Sequence, residues 1–556
     1  MSFMLNLFKH LVCAVLALAL ALPAGSAQVS ADPSGAAMES IRPEAIRAHM
    51  NFLADDLLEG RGTDSRGYEI AARYMATEFE SMGLTPAGDA GTYLQNVPLR
   101  SVRPDEPNTT LSLIRNGKSE TLVSRKDFLA PGDPARKETS VEAPVVYVGF
   151  GVTAPEQNYD DYKGIDAKGK IVAMVSEAPN FESSLKAHYS SSEQKIANAS
   201  AHGAVGLIVV IDPVLEGLYP FKEQVRDLSR PAFRWLTKEG LPNDYFPQLH
   251  GGAILSLEAG KQLFVGSGHT SEEVFQAAKE GKSLAFPLPL SAKIHRQAKL
   301  EDVSSHNVVA KLEGSDPALK NEYLVYSAHL DHLGIGEPVK GDSIYNGALD
   351  NASGCAILLE VARAFSKMNP RPKRSILFVA VTGEEAGLLG SDYFAHYPTV
   401  SKDAIVANVN MDEDQMLWPL LDIIPFGAEH STLDGVVKRA AERLHLGISP
   451  DPMPEEVIFI RSDQYSFVRQ GVPAVFLVAG FKSNDPKIDP SAIFKDWEAT
   501  RYHQPQDDMQ QPGLDFNQAV KYAQFAYLCG WLITQDPARP AWNAHDFFGD
   551  HYAKKM

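Results

Sequence analysis

Four short and almost uninterrupted apolar runs constrain this chain more than any other feature: Tyr323–Ala328, Ser375–Val381, Ala404–Val409 and Ala474–Val478. A strand with one wet face alternates apolar and polar residues, whereas a strand covered on both faces has no need to. Such runs, separated by helical stretches, predict an α/β fold: a mostly parallel sheet sandwiched by helices. Open sheets of this kind gather ligands at the carboxyl ends of their strands. Those ends are where the ionisable residues stand. His329, Asp331 and His332 follow the first run, Glu384 and Glu385 the second, and Asp412, Glu413 and Asp414 the third. Two further segments belong with them: Tyr345–Gly354, which contains Asp350 and Asn351 and opens a helix, and Arg501–Asp507, which contains Tyr502 and His503.

Adjacent carboxylates at the end of a buried strand repel each other unless a cation or a proton compensates. Histidines and carboxylates without thiolates form a donor set that zinc accepts. Beyond Cys13 in the first apolar run, Cys355 and Cys529 each sit among apolar residues and read as buried thiols, and these two make no disulfide framework. The formal net charge of −18, from 52 Lys and Arg against 70 Asp and Glu, argues against nucleic acid as a partner.

The first residues carry a positive start, an apolar run Leu11–Leu22 and small residues up to Ala27, the pattern of a secretory signal peptide cleaved near Ala27. The run is too short to cross a bilayer, so export to the periplasm or the exterior is expected, with no stable membrane anchor after cleavage. Pro43–Met82 shows helical spacing around a glycine-rich turn, Leu58–Gly67, which lacks the Gly-Lys-Ser/Thr ending of a phosphate loop and reads as structural. From Val141 the texture turns β-rich, and this stretch resembles the protease-associated domain, a small α/β insert; His202 within it reads as a helix-end residue. A connector from Phe286 to His306 then leads into the second α/β region. The expected organisation is a signal peptide (1–27), an N-terminal part of the main domain (28–140), the insert (141–290), the main part (291–536) and a tail (537–556).

The order His-x-Asp, Asp-Asn-Ala-Ser-Gly, Glu-Glu, Asn-x-Asp and Tyr-His resembles the di-zinc aminopeptidase family, metallopeptidase family twenty-eight, which includes glutamate carboxypeptidase II, the transferrin receptor and the glutaminyl cyclases. The resemblance covers nearly the whole mature chain, including Phe52–Gly62. It implies that His329 and Asp412 hold one zinc ion, that Glu385 and His503 hold a second, and that Asp350 bridges both. It further implies that Asp331 orients the histidine ligand, that Glu384 is the general base, that Tyr502 steadies the oxyanion, and that the Asp350–Asn351 peptide is cis. The implied activity is hydrolysis of the first peptide bond of peptides with a free N-terminus, by water activated by two zinc ions.

Alternatives within the fold are a carboxypeptidase, for which Arg461 could clamp a carboxylate, and a one-zinc glutaminyl cyclase. A non-catalytic, receptor-like binding protein is the alternative outside enzymology. The chain departs from the family in carrying Glu413 and Asp414 after Asp412. One of them, Glu413 before Asp414, is therefore a candidate for the substrate's α-ammonium or a basic side chain, with a solvated loop acid as the other reading. Arg461 and Asp463 are candidate substrate contacts, with a structural ion pair as the other reading. His306 and His332 have no role in this scheme and are not expected to be ligands.

Overall fold

The computed structural model describes residues 33–553 apart from residue 229, so the expected signal segment lies outside the described residues. All four apolar runs are strands: Tyr323–His329, Ser375–Val381, Ile405–Met411 and Ala474–Ala479. They lie side by side and parallel, with Ser375–Val381 next to Tyr323–His329, then Ile405–Met411, then Ala474–Ala479. Asp422–Phe426 closes one side antiparallel, and the end of a long strand, Ala285–Leu312, closes the other.

The continuous apolar runs follow from burial on both faces. Leu324, Tyr326 and Ala328 enter one core with the helices Pro43–Leu53, Gly354–Ser366 and Phe516–Gln535. Val325 between them faces a second core with Phe394, Phe467 and Phe548. Alternation is present in direction but not in polarity, as two covered faces require. Phe548 is fully buried, so the expected tail supplies part of the main core.

The insert forms its own sheet, in which Ile171–Val175 and Gly206–Val210 run parallel and Gly206–Val210 pairs with Gly251–Leu255. Its limits differ from the expected 141–290. Thr110–Arg115 and Phe128–Leu129, earlier in the chain, pair within this sheet, while Ala232–Trp235 leaves it to pair with Leu94–Pro104 of the main sheet. The expected connector is also corrected: Phe286–His306 lies inside the 28-residue strand Ala285–Leu312. Its first half pairs with Glu138–Val148 of the insert and its second half with Leu94–Pro104. A strand shared by two sheets carries two patterns of burial, which conceals its single identity in the sequence. Among the described residues, no helix is long and apolar enough to cross a membrane.

Candidate metal centre

The carboxyl ends of the parallel strands converge on one cluster. His329 ends its strand, and its Nε2 lies 2.9 Å from Asp412 Oδ1 and 3.3 Å from Asp350 Oδ1. Asp412 follows Met411, the last residue of the next strand, and its other oxygen accepts a hydrogen bond from Ser462 Oγ at 2.6 Å. Across the cluster, His503 Nε2 lies 3.1 Å from Glu385 Oε2 and 3.4 Å from Asp350 Oδ2. The two oxygens of Asp350 thus face different histidines.

Asp350 is held by its own loop. The N–H groups of Leu349 and Asp350 donate to the fully buried carboxylate of Asp507 at 3.0 Å. Asn351 Nδ2 donates to the carbonyl of Met411 at 3.1 Å, which ties the loop to the strand that delivers Asp412. The Asp350–Asn351 peptide is cis, as the family resemblance implies.

The donor set fits metal binding. Two donors bound tetrahedrally to one zinc ion at ordinary bond lengths stand roughly 3.3 Å apart, and the His–carboxylate separations here cluster around that value. Electrostatics point the same way. Burial alone would lower the His503 pKa, yet Glu385 and Asp350 hold it up to about 10. His329 is likewise raised well above its ordinary value, burial being outweighed by Asp412 and Glu384. A buried field that strongly favours positive charge suits cations. Two groups of side chains can each close on an ion: His329, Asp350 and Asp412, and His332, Asp350 and Glu385.

Glu384 stands beside the cluster, with its backbone N–H on Asp331 Oδ1 at 3.1 Å. Burial, together with Asp412, Asp463 and Glu385, raises its carboxyl well above the usual range, with His329 acting in the opposite direction. Tyr502 stacks on His503, with ring centroids 3.9 Å apart, and its hydroxyl accepts from Arg461 Nη2 at 3.0 Å. Arg461 stays partly exposed at the rim and also reaches Glu456 Oε2 at 3.3 Å. Glu413 is half-buried at a positive φ of 46°. Its carboxyl is raised well above the ordinary value by burial, then by Asp350 and Asp412.

Three expectations need correction. The Asp331 carboxylate does not bond to the His329 ring: it accepts from Thr63 Oγ1 at 3.0 Å and from the Glu384 N–H, while the Asp331 carbonyl oxygen lies 3.1 Å from His329 Nδ1. The contact between the two residues is thus made by the Asp331 main chain. Asp463, read as a substrate contact or as one half of an ion pair, has no exposed surface. His332, read as uninvolved, is fully buried beside Glu385, its Nδ1 2.6 Å from Oε1. His306 does stand apart, paired with Glu69 at 2.6 Å.

The residues that sequence reasoning missed are supports. The turn Leu58–Gly67 inserts Arg61 under the site, where it donates to the carbonyls of Leu330 at 2.9 Å, Asn346 at 2.6 Å and Gly347 at 2.9 Å, and to that of Leu53. One guanidinium thereby joins the loop after His329 to the loop before Asp350. Gly60, at φ +68°, is obligatory there, because a Cβ would lie 2.4 Å from the carbonyl oxygen of Tyr345. The signal was an arginine between two glycines, which carries nothing specific until its distant acceptors are known.

Comparison with known proteins agrees with this geometry. Residues 307–528, which span every candidate ligand, match the model of peptidase family M28, and residues 141–232 match the PA domain. Residues 307–528 thus form a domain similar to peptidase family M28. Among relatives of this chain, a probable zinc metalloprotease of Pyrenophora teres f. teres (strain 0-1) is 27% identical over 278 residues, covering 43% of this chain and 53% of its own. Aminopeptidase NAALADL1 of Rattus norvegicus is 24% identical over 426 residues, covering 67% of this chain and 52% of its own. The chain therefore spans about half the length of these curated relatives. A solved aminopeptidase from Aneurinibacillus sp. strain AM-1 shares the fold, with a TM-score of 0.52 at 19% identity over 92% of this chain and 99% of its own.

Proposed function

We propose that this chain is an exported zinc aminopeptidase, periplasmic or secreted, which hydrolyses the first peptide bond of peptides with a free N-terminus and works with two zinc ions. The observation that carries the two-ion reading is the placement of Asp350, whose separate oxygens face His329 and His503. His329, Asp350 and Asp412 would hold one ion, and Asp350, Glu385 and His503 the other. Such a pair supplies Lewis acidity, making water a nucleophile near neutral pH and polarising a carbonyl.

The remaining steps belong to side chains of the protein. Glu384 is close to the ligands without being needed as one, and burial raises its carboxyl, so that its ionised form, favoured by cations in the site, is a stronger base. It takes the proton of the attacking water and returns it to the departing amine. Burial likewise keeps the Tyr502 hydroxyl protonated, against the pull of Arg461. Because that hydroxyl accepts from Arg461, its own proton is free to donate to charge developing on the substrate carbonyl. Glu413, beside Asp412, is suited to the substrate's α-ammonium, and Arg461 lines the rim. These assignments favour an aminopeptidase over a carboxypeptidase, since acidic residues lie next to the ligands and Arg461 is already engaged by Tyr502 and Glu456.

Three versions of one peptide test the reading: unmodified, N-acetylated and C-amidated. Cleavage of the first and third with sparing of the second is the expected result. Cleavage of the acetylated peptide with sparing of the amidated one would instead identify a carboxypeptidase.

A further inference from the structure

The second ion position contains one more nitrogen than the proposed scheme uses. The His332 ring is completely enclosed, whereas the His503 side chain is 25% exposed. His332 Nδ1 lies 2.6 Å from Glu385 Oε1 and 3.6 Å from Asp350 Oδ2. The contact with Glu385 is close enough for a hydrogen bond but lacks the direction of one. Among the described residues, neither ring nitrogen of His332 has a hydrogen-bond partner, and neither does Glu385 Oε1. A buried polar atom left in that condition costs about 1–3 kcal/mol, which is seldom tolerated without a compensating partner. His503 shows the same relation to the same carboxylate, close to Oε2 at 3.1 Å.

The surroundings are built to keep the ring in place. Gly347, on the loop that carries Asp350, gives it room: a Cβ there would lie 2.5 Å from the ring's Cγ. The His332 N–H donates to the carbonyl oxygen of Arg61 at 3.2 Å, and Arg61 in turn holds the Gly347 carbonyl. The ring, the Asp350 loop and the supporting turn are thus locked to one another. A histidine packed only as filler has no need of a glycine opposite it or of two unpaired oxygen and nitrogen atoms beside it.

We propose that His332 is a further ligand of the second ion position, binding through Nδ1 alongside Asp350, Glu385 and His503. The inference rests on the two-ion reading given above. It makes this position richer in nitrogen than the first, which has His329 alone. The exposed His503 can then yield to substrate while the enclosed His332 retains the ion.

The test uses the full-length protein with its metal replaced by Co(II). The imidazole N–H protons of histidines bound to this ion appear as strongly shifted, solvent-exchangeable proton NMR signals, one for each ligand histidine. Three such signals are expected, falling to two in His332→Ala, together with a roughly 10- to 100-fold weaker affinity for the second cobalt ion. The count in the unsubstituted protein is decisive even if that variant folds poorly. Two signals in the unsubstituted protein, with two cobalt ions bound, would overturn the role of His332 and leave the two-ion site standing. Failure to bind a second cobalt ion would overturn both.

Discussion

Replacing Arg61 with methionine removes a single side chain that touches neither substrate nor ion, yet the structure requires the change to be severe. Arg61 is 1% exposed and donates to four main-chain carbonyls, those of Leu53, Leu330, Asn346 and Gly347. It also faces the charges of Asp331, Asp350 and Asp507. Methionine fills much of the space but offers no donor. Buried acceptors then lose charged partners worth about 1.5–3 kcal/mol each, partly offset because a buried cation no longer has to be desolvated. A net loss of about 3–5 kcal/mol is the expected scale. At roughly 2 °C per kcal/mol for a large domain, the melting temperature should fall by at least about 5 °C. Because the lost contacts join the loops of His329 and Asp350, metal content should fall as well. Differential scanning calorimetry and elemental analysis measure the two effects. A melting temperature within about 1 °C of the parent, with full metal content, would refute the claim that this turn fastens the site.

Glu384→Ala should retain its metal while turnover falls by about two to four orders of magnitude, measured on an aminoacyl-anilide; near-normal turnover would remove Glu384 from the proposed chemistry. His188 predicts a pH effect far from the site. It comes from the insert helix Ser183–Ser190, bonds through Nδ1 to Tyr465 Oη at 2.6 Å, and packs against Phe548 and Tyr552 of the main domain. Burial, then His551 and Arg469, lowers its pKa from 6.5 to about 3. Neutral histidine is thus favoured in the folded state, so its contribution is complete above pH 6.5 and is lost as pH falls toward 3, at most about 4–5 kcal/mol. Urea unfolding at pH 7.5 and pH 5 should show a loss in the parent that is smaller in His188→Gln; equal losses would contradict this assignment.

Much of the fold was legible because its strands are buried on both faces. Tyr323–His329 and Ser375–Val381 need no polar residues along their length, so their runs announce themselves, and the residues at and just beyond their ends are the proposed ligands. Asp350 and His503 were legible only through the family's order of motifs, since nothing local marks a loop aspartate or a late histidine. What escaped depends on contacts distant in sequence. Arg61 acts on Asn346, some 285 residues away, and its meaning exists only once the turn and the loop meet. Asp507 stood in a noted segment, but its task is to hold the N–H groups of Leu349 and Asp350. His332 lies three residues from His329, yet whether its ring faces solvent or Glu385 is decided by the path of the loop after the strand. Asp463 shows the opposite case: a charged residue beside a cleft segment suggests exposure, and just before the helix beginning at Gln464 it is fully buried.

The claim beneath all of this is that Asp350 joins two cations. Crystals grown with zinc and measured on both sides of the zinc absorption edge would locate the ions directly. Two anomalous peaks flanking the Asp350 carboxylate are predicted, one near His329 and Asp412 and one near Glu385 and His503. A single peak, or two peaks that do not share Asp350, would contradict the account.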